Sequence, residues 1–288
     1  MSGDSRFVRL RGLRFHLRCW GAETAPLLVL LHGWLDTSAT WSDVGESLGA
    51  QYRVVALDQR GYGYSEWPQD GYWFPDYVAD LDALVNHLSP QQQPILLVGH
   101  SMGGQVASLY AGMRPARVSK LAVLDSLFLP DMPPKLMPRR LGSWLDQVKS
   151  TPREKSYASF EELAQRVKKQ QPQLSDERAL FVARGWGHAD AQGQIWLQAD
   201  PKHRRDMPSL YRNAESMEVW KAITAPTLFL DAGASAFAKA ISAEERSARR
   251  ACFGSRVERV IEGAGHMLHF DSPLATADAI LNFMQASD

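Results

Sequence analysis

The chain has 288 residues, 45% of them hydrophobic, which suits one large α/β domain or such a domain with a lid. Lysine and arginine total 32 and aspartate and glutamate total 32, a balance that argues against a nucleic-acid partner. Two cysteines, Cys19 and Cys252, are too few for a disulfide framework and read as small buried apolar residues in a reducing compartment.

The opening Met1-Ser2-Gly3-Asp4-Ser5-Arg6 has no apolar core of the kind a signal peptide needs, and no later stretch approaches a membrane span. The expectation is a cytoplasmic protein with no membrane partner. Strands are expected at 7–10 and 13–19, joined by Arg11-Gly12 alone, a spacing that permits only an antiparallel hairpin. Further strands follow at 27–31, 53–57, 95–98, 121–124, 227–230 and 256–261, the later ones as near-continuous apolar runs of the kind buried on both faces of a parallel sheet. Helical periods lie between them near 40–48, 75–88, 101–113, 243–252 and 273–285. Strand alternating with helix predicts an α/β fold with a mostly parallel eight-stranded sheet covered on both faces.

One stretch breaks that rhythm. Residues 126–221 show helical segments and no strand as clear as the others, and they hold Trp144, Trp186, Trp196 and Trp220. They carry 16 Lys and Arg against 12 Asp and Glu, a mild basic excess that suits a solvated helix surface. The expectation is a helical cap over 126–221, inserted into a core of 1–125 and 222–288.

The most informative motif is Gly99-His100-Ser101-Met102-Gly103, placed between the strand at 95–98 and a helix. Glycines on either side let the backbone turn sharply enough to push the serine hydroxyl out at the top of the sheet, beside a helix N-terminus. A serine hydroxyl needs a base within hydrogen-bond reach, and the base needs an orienting acid. His266, in Gly263-Ala264-Gly265-His266, follows the last strand in a glycine-loosened loop and is the expected base. His269 is expected to be structural, and His188 and His203 fall in the cap. Upstream, Leu31-His32-Gly33-Trp34 ends the first apolar strand. The backbone N–H groups of Trp34 and Met102 are the expected oxyanion donors. His32 is expected to hold that loop.

On these pieces the sequence resembles the α/β-hydrolase fold superfamily over nearly its whole length. The matching segments are His32-Gly33-Trp34, Asp58-Gln59-Arg60-Gly61-Tyr62-Gly63-Tyr64-Ser65, Gly99 to Gly103, and Gly265-His266. More narrowly, His32-Gly33-Trp34-Leu35-Asp36, Leu124-Asp125-Ser126-Leu127-Phe128-Leu129 and the cap resemble the serine hydrolase-like proteins. The resemblance implies a Ser-acid-His hydrolase with no metal or organic cofactor. In most members the acid follows the seventh strand as Gly-x-x-Asp, but that position here is Ala236. Some members place it after the sixth strand, where this sequence has Asp125. Asp125 is therefore the chosen acid and Asp231 the second candidate; a third alternative is that no acid completes the set and activity is weak. The serine elbow argues against dehalogenases and epoxide hydrolases, which need a carboxylate nucleophile. The expected activity is cleavage of a carboxylic ester of a small or medium apolar acyl substrate through an acyl-enzyme. Rivals on the same residues are a thioesterase, a lactonase or a C–C hydrolase, and, from another class, a non-catalytic ligand-binding protein. The only expected partner is a small-molecule substrate, with a homodimer left open.

Overall fold

Arg11 and Gly12 take positive φ angles of 46° and 84°, the two left-handed residues that a type I′ turn requires. They join β1 (Asp4–Leu10) to β2 (Leu13–Trp20) in an antiparallel hairpin with Leu10 opposite Leu13. The computed structural model describes residues 2–150, 152 and 154–286. Beyond the hairpin the chain runs through β3 (Leu27–Leu31), α1 (Ser42–Gly49), β4 (Arg53–Leu57), α2 (Phe74–Leu88), β5 (Ile95–His100), α3 (Met102–Met113) and β6 (Val118–Leu124). There follow α4 (Met137–Gln147), α5 (Phe160–Gln170), α6 (Asp176–Trp186), the short β7 (Gly187–Ala189) and β8 (Ile195–Leu197), and α7 (Asn213–Trp220). The chain then returns to the sheet with β9 (Thr227–Ala232), α8 (Ala243–Arg250), β10 (Arg256–Ile261), α9 (Leu268–Asp271) and α10 (Pro273–Gln285).

Eight strands form one sheet in the order β1-β2-β4-β3-β5-β6-β9-β10. β2 runs antiparallel to both its neighbours, and every other pairing is parallel. Alternation along each strand divides the core into two layers. Val29, Leu31, Val55 and Leu97 face α2 and α3 through Leu81, Leu84, Val106 and Tyr110. Leu28, Leu30, Val54 and Val98 face α1 and α10 through Val44, Leu48, Ile280 and Met284. Both layers are buried, so the central strands read as unbroken apolar runs; each such side chain stabilises the fold by about 1.5–3 kcal/mol.

Three details depart from the sequence expectation. The segment between β6 and β9 does contain strands: β7 and β8 pair antiparallel, His188 opposite Trp196. Three residues each are too few to show a period. The ribbon is closed by a side chain, since Asp190 accepts from the Gln192 and Gln194 amides and from Trp196 Nε1. The strand β10 is not buried on both faces. It is the sheet edge, with Val257 and Val260 exposed, and its Arg256, Glu258 and Arg259 guard that edge against further pairing. Cys252 is buried as expected, but Cys19 is half-buried.

Among the described residues no helix is long and apolar enough to cross a membrane. Between β6 and β9, α5, α6 and the ribbon enclose their own apolar cluster of Leu163, Val167, Val182 and Ile195, which packs on Met267 and Phe270. That segment therefore rests on the loop after β10.

Candidate active site

Strand β5 must turn into α3 within a residue, and the flanking glycines make this feasible. A Cβ on Gly99 would strike the Gly103 carbonyl, and one on Gly103 would strike the carbonyls of Leu31 and His32. Between them Ser101 sits at φ 51° and ψ −117°, a strained conformation for a residue with a side chain. Long-range bonds from both sides hold it there: Ser101 N–H donates to Leu124 O at 3.0 Å, and Ser126 Oγ–H donates to Ser101 O at 2.5 Å, an oxygen that also accepts from the Gly104 and Gln105 amides of α3.

The loop after β10 brings His266 over the sheet edge. Its Nε2 lies 3.0 Å from Ser101 Oγ, and its Nδ1 lies 2.6 Å from Asp125 Oδ2. With Nδ1–H donated to the carboxylate, Nε2 is left as the acceptor for the serine hydroxyl. Asp125 is fully buried at the end of β6, where a positive φ of 39° lifts its side chain towards the histidine. Ala232 N–H donates to its Oδ1 at 3.1 Å and Ser235 Oγ–H to its Oδ2 at 2.6 Å. The structure thus brings Ser101, His266 and Asp125 into one hydrogen-bonded line.

Asp231, the second candidate for the acid, is elsewhere. It still belongs to β9, so alternation turns it to the same face as Phe229, towards α8. There both its oxygens accept from Arg250 Nη2, at 2.6 and 2.7 Å. His188 lies exposed in the ribbon. His203 is stacked between Tyr62 and Tyr72, at 3.8 and 3.6 Å between ring centres, and burial pulls its pKa down to about 3.

The loop after β3 closes the other side. His32 donates from Nδ1 to Gly33 O at 2.7 Å and accepts at Nε2 from Gln59 N–H at 3.0 Å, so both ring nitrogens serve the loop. Burial lowers its pKa, consistent with a neutral ring. Among the described residues neither the Trp34 nor the Met102 amide N–H has a hydrogen-bond acceptor. Both residues line a cavity of about 690 Å³ together with Ser101 and His266. Its walls are mostly apolar, with Phe74, Leu127, Phe128, Leu129 and Met132. At one end Gln105 Nε2 donates to Tyr211 OH, tying α3 to the segment before α7.

Several residues that hold this arrangement carry no sequence signal of their own. Ser235 is one; the rule that would have found it is that an acid at the end of β6 needs donors from the neighbouring β9 loop. His100, inside the serine motif, donates from Nε2 to His266 O at 2.8 Å and so fixes the loop of the base. Burial, followed by its histidine neighbours, holds its pKa well below the ordinary value. Asp36 is a third. It is fully buried and accepts from Trp186 Nε1 at 2.7 Å, Thr40 Oγ1 at 2.9 Å and His269 Nε2 at 3.0 Å. Burial opposes its charge, but the His269 bond and the neighbouring histidines bring its carboxyl below the usual range. Asp36, His100 and His269 lie close enough to be considered as metal ligands, yet both Asp36 oxygens are already engaged by donors, so the cluster reads as a tether. It links the loop of Trp34, the loop of His266 and α6.

The sequence model of the α/β-hydrolase fold matches residues 26–273. A serine hydrolase-like protein of Danio rerio is 28% identical over 278 residues, covering 92% of this chain and 83% of that protein. Epoxide hydrolase 4 of Mus musculus is 36% identical over 127 residues, 43% of this chain and 35% of its own length. Among solved structures, a thioesterase domain from the curacin biosynthetic pathway superposes with a TM-score of 0.87 at 27% identity, covering 98% of this chain and 100% of that one.

Proposed function

The chain belongs to the α/β-hydrolase fold family and is a hydrolase, and from that premise we propose that it cleaves a carboxylic ester with an apolar acyl group through a Ser101 acyl-enzyme. The observation that carries this reading is the line Ser101 Oγ–His266–Asp125, 3.0 and 2.6 Å per step, opening on an apolar cavity of about 690 Å³.

In the proposed reaction Ser101 Oγ attacks the acyl carbon while His266 Nε2 takes its proton. Asp125 holds the imidazole in the Nδ1–H tautomer and stabilises the imidazolium. The N–H groups of Trp34 and Met102 receive the oxyanion; removing one such donor costs on the order of a hundredfold in rate. His266 then returns the proton to the leaving oxygen, the C–O bond breaks, and water, deprotonated by the same histidine, releases the acid. Residues 126–221 act as the cap over this cavity. Epoxide opening through an alkyl-enzyme needs a carboxylate nucleophile, whereas the elbow holds Ser101. A thioester is the second reading, favoured by the likeness to the thioesterase domain.

The test is a panel of p-nitrophenyl esters and acyl-CoAs with a fluorophosphonate label. Turnover and labelling are expected, both lost in Ser101→Ala. Faster acyl-CoA cleavage selects the thioester reading. Absence of turnover together with absence of labelling leaves only a ligand-binding protein.

A further inference from the structure

A second line of serine, histidine and aspartate lies at the hairpin edge of the sheet. The edge strand β1 pairs with β2 so that Phe7 stands opposite His16. Ser5, two residues back, shares that face and reaches His16 on the diagonal. Its Oγ lies 2.6 Å from His16 Nε2, and His16 Nδ1 lies 2.7 Å from Asp58 Oδ2. Asp58 is buried directly after β4 and accepts as well from the Ser38 N–H at 2.6 Å and the Tyr64 N–H at 3.0 Å. Burial opposes its charge, but the His16 bond and the neighbouring histidines bring its carboxyl below the usual range.

An ionised carboxylate only accepts, and this fixes the tautomer of the ring. His16 donates Nδ1–H to Asp58, Nε2 is left as an acceptor, and the Ser5 hydroxyl donates to it. His16 is fully buried whereas Ser5 is exposed, so a reagent in solvent meets the hydroxyl and not the base. The exposed rings of Phe7 and Tyr64 each lie 5.2 Å from His16 between ring centres and offer an aryl group a surface to rest on. A hydrogen bond at an exposed hydroxyl adds little to stability, since water competes for it. Its larger consequence is chemical, because a base within reach is what a serine needs to act as a nucleophile.

Ser5 lacks the setting of Ser101. A strand has no helix N-terminus, and its N–H groups lie in the plane of the sheet while side chains stand perpendicular to it. A strand serine therefore has no pair of amides from its own strand turned towards its oxygen.

We propose that Ser5, His16 and Asp58 form a second acyl-accepting site, which takes one acyl group from an aryl ester and keeps it. Ser5 Oγ attacks the acyl carbon and His16 Nε2 takes its proton. The ester C–O bond breaks, the phenol leaves with that proton, and an acyl-serine remains. Without paired amides to hold the oxyanion, water removes the acyl group slowly. The site does not depend on the reading of Ser101.

The experiment treats the Ser101→Ala protein with 4-nitrophenyl acetate and maps the acetyl groups by peptide mass. Ser255, exposed before β10, is the internal control. Ser5 is expected to be acetylated about a hundredfold faster than Ser255, and to keep the acetyl group after excess reagent is removed. The adduct is expected to vanish in Ser5→Ala and to form no faster than at Ser255 in His16→Gln. Ser5 reacting no faster than Ser255, or keeping its rate in His16→Gln, overturns the site. Release of 4-nitrophenol that depends on Ser5 and runs past one equivalent overturns the single transfer. Where His16→Gln does not fold, the ratio of Ser5 to Ser255 in the Ser101→Ala protein decides alone.

Discussion

At the scale of single residues, the two aspartates offered by the sequence separate by what their oxygens touch. Asp125 meets His266, Ala232 N–H and Ser235, while Asp231 meets Arg250. Asp125→Asn is expected to lower kcat by about 10⁴-fold with little change in melting temperature, since asparagine tolerates the same positive φ. Asp231→Asn is expected to do the reverse: activity largely kept, and stability lowered by about 1–3 kcal/mol in urea titration as the buried Arg250 loses half its pairing. Equal kcat losses in the two variants would contradict the assignment of the acid. The serine and the histidine were legible because glycines mark both turns. The sequence favoured Asp125 as the acid but kept Asp231 as second candidate, because the choice depends on which face of β9 the Asp231 side chain takes. Ser235, His100 and Asp36 were invisible as site residues: Ser235 and His100 each act through one long-range hydrogen bond and Asp36 through two, and nothing in local spacing records such bonds.

At the scale of elements, Asp36 joins three parts of the chain that are remote in sequence. Among the described residues of 126–221, Trp186 Nε1, at the end of α6, is the one donor to it. Trp186→Phe keeps the ring packing near Phe270 but leaves Asp36 one donor short. The expected result is a loss of about 1–2 kcal/mol in urea-induced unfolding and faster amide exchange in α6, with Ser101 labelling retained. Unchanged exchange in α6 would show that the apolar cluster alone holds this segment. The central strands β3, β4 and β5 were readable because burial on both faces leaves them almost wholly apolar. The ribbon of β7 and β8 was not, since three residues cannot display alternation and its turn is built by the Asp190 side chain. The edge position of β10 was hidden for a different reason: the same sequence pattern serves an edge or an interior strand until its neighbours are known.

At the scale of the whole molecule, three histidines, His32, His100 and His203, are held neutral by burial. Their folded pKa values lie below the ordinary unfolded value of about 6.5. The unfolded chain therefore binds protons that the folded one does not. The stability they contribute is complete above pH ~6.5 and is lost as the pH falls, down to about 3 for His203. Asp36 and Asp58, whose carboxyls are lowered, act in the same direction below pH ~4. Urea unfolding between pH 7 and pH 4 is expected to show stability falling by up to about 1.4 kcal/mol per pH unit for each histidine. His203→Gln should remove about one proton from that slope. A flat profile over this range would mean that these rings titrate normally in the folded protein.

The proposed nucleophile, Ser101, and its proposed base, His266, stand 165 positions apart along the chain. A ribosome therefore makes the hydroxyl long before it makes the imidazole that activates it. While the intervening residues are being added, the elbow emerges beside the growing peptide as an inert alcohol. In the proposed mechanism reactivity arrives only when the loop of His266 docks, so a half-made chain would lack the Ser101–His266 pair that cleaves an ester.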